Sequence, residues 1–153
     1  MIINRILNQD LTLCKIQANS KKRALENIAE LINQQNPDID ADELFKQLIA
    51  RERLGSTAIG QGIAIPHCRY SQLESSIACL ITLKDPINFD AQDDYLVDVL
   101  FVLIVPENST EEHLNTLSEI ATLMSQSEYR NRLRKSQTNE ELYNAAISFE
   151  KAA

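Results

Sequence analysis

Apolar positions recur along this chain at two periods, and the change between them divides it into three stretches. Leu11-Thr12-Leu13-Cys14-Lys15-Ile16 reads as a short strand. Ala24, Leu25, Ile28, Leu31 and Ile32 then recur at helical spacing behind Ser20, a residue type suited to capping a helix start. Asn36-Pro37 ends that helix, because proline disfavours helical geometry in its predecessor. Asp40 with Glu43 has the spacing of a capping box. It opens a second helix, with Leu44, Phe45, Leu48 and Ile49 on one face, that runs out near Arg51-Glu52-Arg53-Leu54.

Beyond residue 67 the pattern turns to strands. Ile77–Leu83 and Val97–Val105 are rich in β-branched residues, and the second is nearly continuous in apolar side chains from Val99. That is the pattern of a central strand covered on both faces, and Pro106 ends it. Ser109 with Glu112 then opens a helix expected to bury Leu114, Leu117, Ile120, Ala121 and Met124. Further helices are predicted around Ser127–Lys135 and from Thr138, where Glu141 supplies the matching position. Helices on both sides of a strand-rich middle predict an α/β fold with a sheet sandwiched by helices. No repeat, linker or low-complexity tract interrupts residues 1–153, so one domain is expected.

Composition narrows the functional classes. A chain of 153 residues buries roughly two-thirds of the surface its unfolded form exposes. Twenty-two acidic side chains against 15 basic ones give a formal charge of −7, which argues against general nucleic-acid binding. No apolar run approaches the ~20 residues of a bilayer span, so no membrane insertion is expected. The first ten residues lack the apolar stretch and cleavage site of a secretion signal. Cys14, Cys68 and Cys79 form no CxxC pair and leave an odd thiol, which fits a reducing cytoplasm. Two histidines without short ligand spacing make a metal site improbable. The chain's three glycines all fall within Gly55–Gly62, just ahead of His67.

That crowding is the candidate chemistry. Glycine permits positive φ and close approach of backbone to a ligand, and successive free N–H groups can cradle an anion. Pro66 stiffens the chain immediately before His67. Imidazole is largely unprotonated near neutral pH and can form covalent intermediates. A histidine on a stiff loop beside anion-binding amides suits a phosphoryl acceptor. The plainer reading of three loop glycines is turns, and the segment matches neither GxxxxGK[ST] nor GxGxxG.

Gly55-Ser56-Thr57 followed by Gly60-Gln61-Gly62-Ile63-Ala64-Ile65-Pro66-His67 resembles the active-site signature of phosphotransferase-system IIA domains of the fructose/mannitol type (type 2), above all their nitrogen-related branch. Similar segments span nearly the whole chain: Ser20–Glu26, Ile87–Ala91, Leu103–Pro106, His113–Leu117 and Glu140–Tyr143. The resemblance implies a mixed β-sheet flanked by helices, with His67 phosphorylated by the phosphohistidine of a small HPr-like carrier. It implies assistance from Arg51, with Arg53 as the fallback, and from His113, and it requires no cofactor. On physical grounds Arg51 would neutralise transferring oxygens. His113, in the first turn of its helix, would lie where a neutral ring is favoured. Gly60, Gly62, Ser56 and Thr57 are candidates to bind the phosphoryl group. Cys68 stands where many members have glycine or another small residue, which raises two expectations: backbone strain if φ is positive there, and an oxidisable thiol if exposed.

Other readings remain at this point. A Cys68–His113 nucleophile–base pair lacks any known thiol-enzyme signature. A regulatory protein whose partners read its phosphorylation state is compatible with the carrier chemistry. The sequence carries no IIC or IIB segment, which favours a regulatory relay over a sugar-uptake subunit passing phosphate to a separate IIB. Arg130, Arg132, Arg134 and Lys135 suit the negative end of a helix better than an acidic partner. Self-association into a homo-oligomer is left open.

Overall fold

The computed structural model describes residues 2–109 and 111–149. Strand β6 (Val97–Pro106) is its axis, buried along most of its length because every neighbour in the sheet and both helical layers pack on it. β5 (Ile77–Ile87) pairs with it antiparallel, and β1 (Leu7–Ile16) pairs with β5 in parallel. Along the other edge of β6 lie β3 (Ile63–Ala64) and β4 (His67–Tyr70), both parallel to it, with β2 (Ala58–Gly60) antiparallel to β3. The sheet is therefore mixed.

Alternation along the strands sorts the core into two layers. Leu100, Val102 and Ile104 of β6 and Cys79 and Ile81 of β5 face helices α2 (Lys21–Gln35) and α3 (Ala41–Arg53). Val99, Phe101, Ala78 and Leu80 face the opposite side. There they meet α1 (Ile3–Ile6), α4 (Glu111–Met124), α5 (Ser127–Lys135) and α6 (Asn139–Ile147). The predicted caps form. Ser20 accepts from the Arg23 N–H, Asp40 from Glu43 and Thr138 from Glu141. The Asp40 cap is reinforced through Tyr70, whose oxygen accepts from the Asp40 N–H at 3.1 Å while its O–H donates to Glu43 at 3.2 Å. The end of β4 thereby holds the start of α3.

Two expectations change, and a third touches a residue outside those described. The glycine segment is not one loop but two short strands, β2 and β3, leading into a third, β4. The capping box at Ser109 falls at a helix that begins at Glu111, and residue 110 lies outside the described residues. On α4 the buried residues are Thr116, Ile120, Leu123 and Met124, whereas Leu114 is 65% exposed. A helix resting on the sheet buries a narrower stripe than its apolar content suggests.

Gly60 (φ +96°), Gln61 (φ +59°) and Gly62 (φ +81°) turn the chain between β2 and β3. The turn's amides and carbonyls are already engaged. The Gln61 N–H donates to Asp93, and Arg134 reaches from α5 to both Asp98 and the Gln61 carbonyl. The basic end of α5 thus serves an internal brace. A Cβ on Gly62 would sit 2.6 Å from Arg134 Nη2 and 3.3 Å from the Leu96 carbonyl. Gly62→Ala is expected to cost at least about 1 kcal/mol through the left-handed backbone alone. It should lower the urea midpoint with little change in m, as equilibrium denaturation would measure.

Candidate active site

The path from β3 to β4 breaks at Ile65-Pro66, and the break creates the site. The Ile65 N–H leaves β6 and donates to the Thr57 carbonyl at 3.0 Å, while Pro66 has no N–H to give. The Pro66 carbonyl then accepts from Leu103, and β4 rejoins the edge with His67 level with Leu103. The freed Ile65 carbonyl lies 2.8 Å from His67 Nδ1. A carbonyl can only accept, so Nδ1 carries the hydrogen and Nε2 holds the free lone pair of the neutral ring.

Alternation along β4 sends Cys68 and Tyr70 into the α2/α3 core and leaves His67 and Arg69 on the other face. His67 opens into a cavity of about 350 Å³ lined also by Gln47, Ala50, Arg51, Leu54, Cys68, Arg69 and His113. The His67 and His113 ring centroids are 5.6 Å apart and tilted by 48°. Burial lowers the His67 pKa; the Ile65 hydrogen bond opposes this, Arg51 lowers it further and nearby Glu52 raises it. The His113 pKa is also lowered, first by burial and then by His67 and Arg69. Both rings are thus biased to the neutral form. His113 Nδ1 is buried and has no hydrogen-bond partner among the described residues.

Of the paired arginines, Arg51 lines this cavity and Arg53 does not. Arg53 faces a neighbouring hollow with Lys21, Lys22 and Asp90. Arg51 Nη1 donates to the Gly55 carbonyl at 2.9 Å, and the guanidinium forms no ion pair among the described residues. Glu52, 7% exposed, points away from the cavity into a satisfied network. It accepts from the Thr57 N–H at 3.1 Å and the Thr57 hydroxyl at 2.5 Å, and pairs with Lys21 at 3.1 Å. Lys21 also lies 4.6 Å from the Phe89 ring centre. These bonds fix residues 54–57, and with them the Gly55 carbonyl that aims Arg51.

The other expected phosphoryl-binding residues are placed elsewhere. Gly60 and Gly62 form the β2–β3 turn. The Gly62 carbonyl accepts from Asp98 and Val99, whereas His67 is level with Leu103. Five residues of strand separate Asp98 from Leu103, roughly 17 Å at about 3.3 Å per residue. Ser56 donates to the Phe89 carbonyl and Thr57 to Glu52, so neither hydroxyl lines the cavity. In this structure Glu52, Ser56 and Asp93 accept from the Thr57, Ala58 and Gln61 amides of the segment. Cys68 is ordinary strand backbone paired with Ile104 and has no positive φ. Burial pushes its thiol up to about 12, which removes the thiolate that oxidation requires.

Two polar lining residues were not anticipated. Gln47 precedes Arg51 by one helical turn, so the i, i+4 relation carried that signal. Arg69 follows His67 by two, a same-face relation visible only once residues 67–70 are known to be a strand. The Glu52 network yields a direct check. Thr57→Val removes a buried donor to a carboxylate and should cost about 1–3 kcal/mol in urea denaturation.

The family profile described as "Phosphoenolpyruvate-dependent sugar phosphotransferase system, EIIA 2" matches residues 5–148. A nitrogen regulatory protein of Pseudomonas aeruginosa is 46% identical over 145 residues, 95% of this chain and 94% of that protein. The crystal structure of the nitrogen regulatory protein IIA-Ntr from Neisseria meningitidis superposes with a TM-score of 0.88 at 35% identity, covering 96% of this chain and all of that one. The IIA mannitol structure from Escherichia coli shares the fold, with a TM-score of 0.71 at 16% identity over 92% and 98% of the two chains. Such agreement along nearly the full length makes this chain a member of the phosphotransferase-system EIIA type 2 family, similar in particular to nitrogen regulatory proteins.

Proposed function

We propose that His67 is a reversible phosphoryl carrier, charged from the phosphohistidine of an HPr-like protein in a reducing cytoplasm, and that regulatory partners read its state. The observation that carries this reading is the Nδ1–H bond from His67 to the Ile65 carbonyl, which turns the Nε2 lone pair toward the cavity. In the transfer, Nε2 attacks phosphorus and an N–P bond forms. The bond to the carrier imidazole breaks, and that ring leaves with the electron pair. Little else is covalent, so positioning and charge dominate. Arg51 supplies an uncompensated guanidinium to the equatorial oxygens. His113 offers a ring nitrogen as hydrogen-bond partner on the opposite side. The turnover of a small molecule by the chain alone is not part of this reading.

The similarity to nitrogen regulatory proteins over nearly the full chain supports a regulatory relay. The alternative, a sugar-uptake IIA that hands phosphate to a separate IIB, has behind it the family description, the shared fold of the mannitol protein and a 23% identity to part of a 2-O-alpha-mannosyl-D-glycerate-specific EIIABC component. Complementation of a strain lacking its fructose or mannitol IIA separates the two. No restoration of sugar uptake is expected, and efficient uptake would select the alternative.

Phosphoenolpyruvate, enzyme I and the HPr-like carrier should place an acid-labile phosphate on the protein, and His67→Ala should abolish it. Arg51→Ala should slow transfer by on the order of 10²-fold and His113→Ala by at least about tenfold, both with the fold intact. Undiminished labelling of His67→Ala would overturn the assignment. In an NMR titration, both histidines should titrate below the ordinary value of about 6.5. Because the folded-state values are lowered, the unfolded chain binds more protons below pH ~6.5. Stability should therefore be full above that pH and fall as pH drops toward the folded values.

A further inference from the structure

Arg69 enters the cavity from the same face of β4 as His67, two residues along. Its Nη1 donates to the Glu107 carbonyl at 2.8 Å and also to the Ser109 carbonyl. Those carbonyls belong to the segment joining β6 to α4, and α4 carries His113 in its first turn. One guanidinium thus ties the strand that bears His67 to the segment that delivers His113. It forms no ion pair among the described residues, and its Nε and Nη2 make no hydrogen bond there. Its charge bears on His113.

Arg51 lowers the His67 pKa and Arg69 lowers that of His113, in each case after burial. The planar guanidinium suits this work, since one nitrogen can hold two carbonyls while the charge stays in place; an ammonium on a flexible stem fixes geometry less well.

We propose that Arg69 is a positioning residue that fixes His113 against His67 by pinning the segment between β6 and α4. This deepens the phosphoryl-carrier reading and rests on it for its kinetic consequences. Arg69→Gln removes the pin and the charge. Arg69→Lys keeps the charge without the two-carbonyl clasp.

Single-turnover transfer from the phosphorylated HPr-like carrier provides the first test, on wild type, Arg69→Gln, His113→Ala and the double variant. Arg69→Gln should slow transfer at least about tenfold, yet add no further slowing once His113 is already alanine. Additive slowing in the double variant, or a wild-type rate in Arg69→Gln, overturns the proposal. NMR titration provides the second test and does not depend on phosphorylation. In Arg69→Gln the His113 midpoint should rise and the His67 midpoint stay, whereas Arg51→Gln should raise that of His67. Arg69→Lys should retain the His113 midpoint but not the wild-type rate, and it keeps the test open if Arg69→Gln does not fold. Equal movement of both midpoints in Arg69→Gln overturns the proposal. Wild type that accepts no phosphoryl group at all refutes the carrier reading instead, and the titration still decides the role of Arg69.

Discussion

The hydrogen bond from His67 Nδ1 to the Ile65 carbonyl is the constraint around which this molecule is organised. It exists because the chain leaves the edge of β6 for two residues and returns. Had β3 continued without interruption, the Ile65 carbonyl would have gone into the ladder, as neighbouring carbonyls do. Pro66 enforces the break by removing a donor, and the Leu103 N–H restores the register on its carbonyl. A local defect in a parallel edge thus sets the tautomer of one imidazole. Burial then works in the same direction as Arg51, keeping the ring neutral at the pH where a lone pair is needed.

Holding that imidazole is only half of the arrangement, because the groups facing it come from other layers. β4 runs alongside α3 so that Tyr70 secures the helix start while His67 meets Arg51 near its end. Glu52 would be costly as a buried charge, but Lys21 and two Thr57 donors satisfy it. Its value lies in specificity of placement: it joins α2, α3 and the loop before β2 at one point. The Gly55 carbonyl is held there, and Arg51 with it. The catalytic geometry is therefore assembled from backbone carbonyls and buried polar bonds, which relax less than surface side chains do.

Much of this was legible in the sequence, and the failures have a common cause. Helical periodicity and capping residues located α2, α3, α5 and α6, and the apolar run of β6 marked a strand covered on both faces. Gly60 and Gly62 were less legible, because glycine signals positive φ without saying for what purpose. Here they form a hairpin turn, and the groups that engage it, the Asp93 carboxylate and the Asp98 N–H, come from more than 30 residues downstream. Arg69 was overlooked for a related reason. A four-residue strand is too short to show a period of two, so its shared face with His67 could not be assigned. Long-range pairing decided both cases, and a linear pattern does not encode it.

Charge explains why such a site can serve as a signal. The chain as a whole carries −7, yet its cavity presents two guanidinium groups without carboxylate partners among the described residues. The local field opposes the global one. A phosphoryl group of about two negative charges on His67 would cancel that positive spot and extend the acidic surface across it. An exposed apolar side chain stands beside the spot: Leu54 on the cavity rim, 85% exposed. A partner that buries it must also desolvate the charge next to it. The cost of doing so over two cations differs in sign of complementarity from the cost over a neutralised or anionic site. On the proposed reading, phosphorylation of His67 would therefore invert which surface of a partner fits.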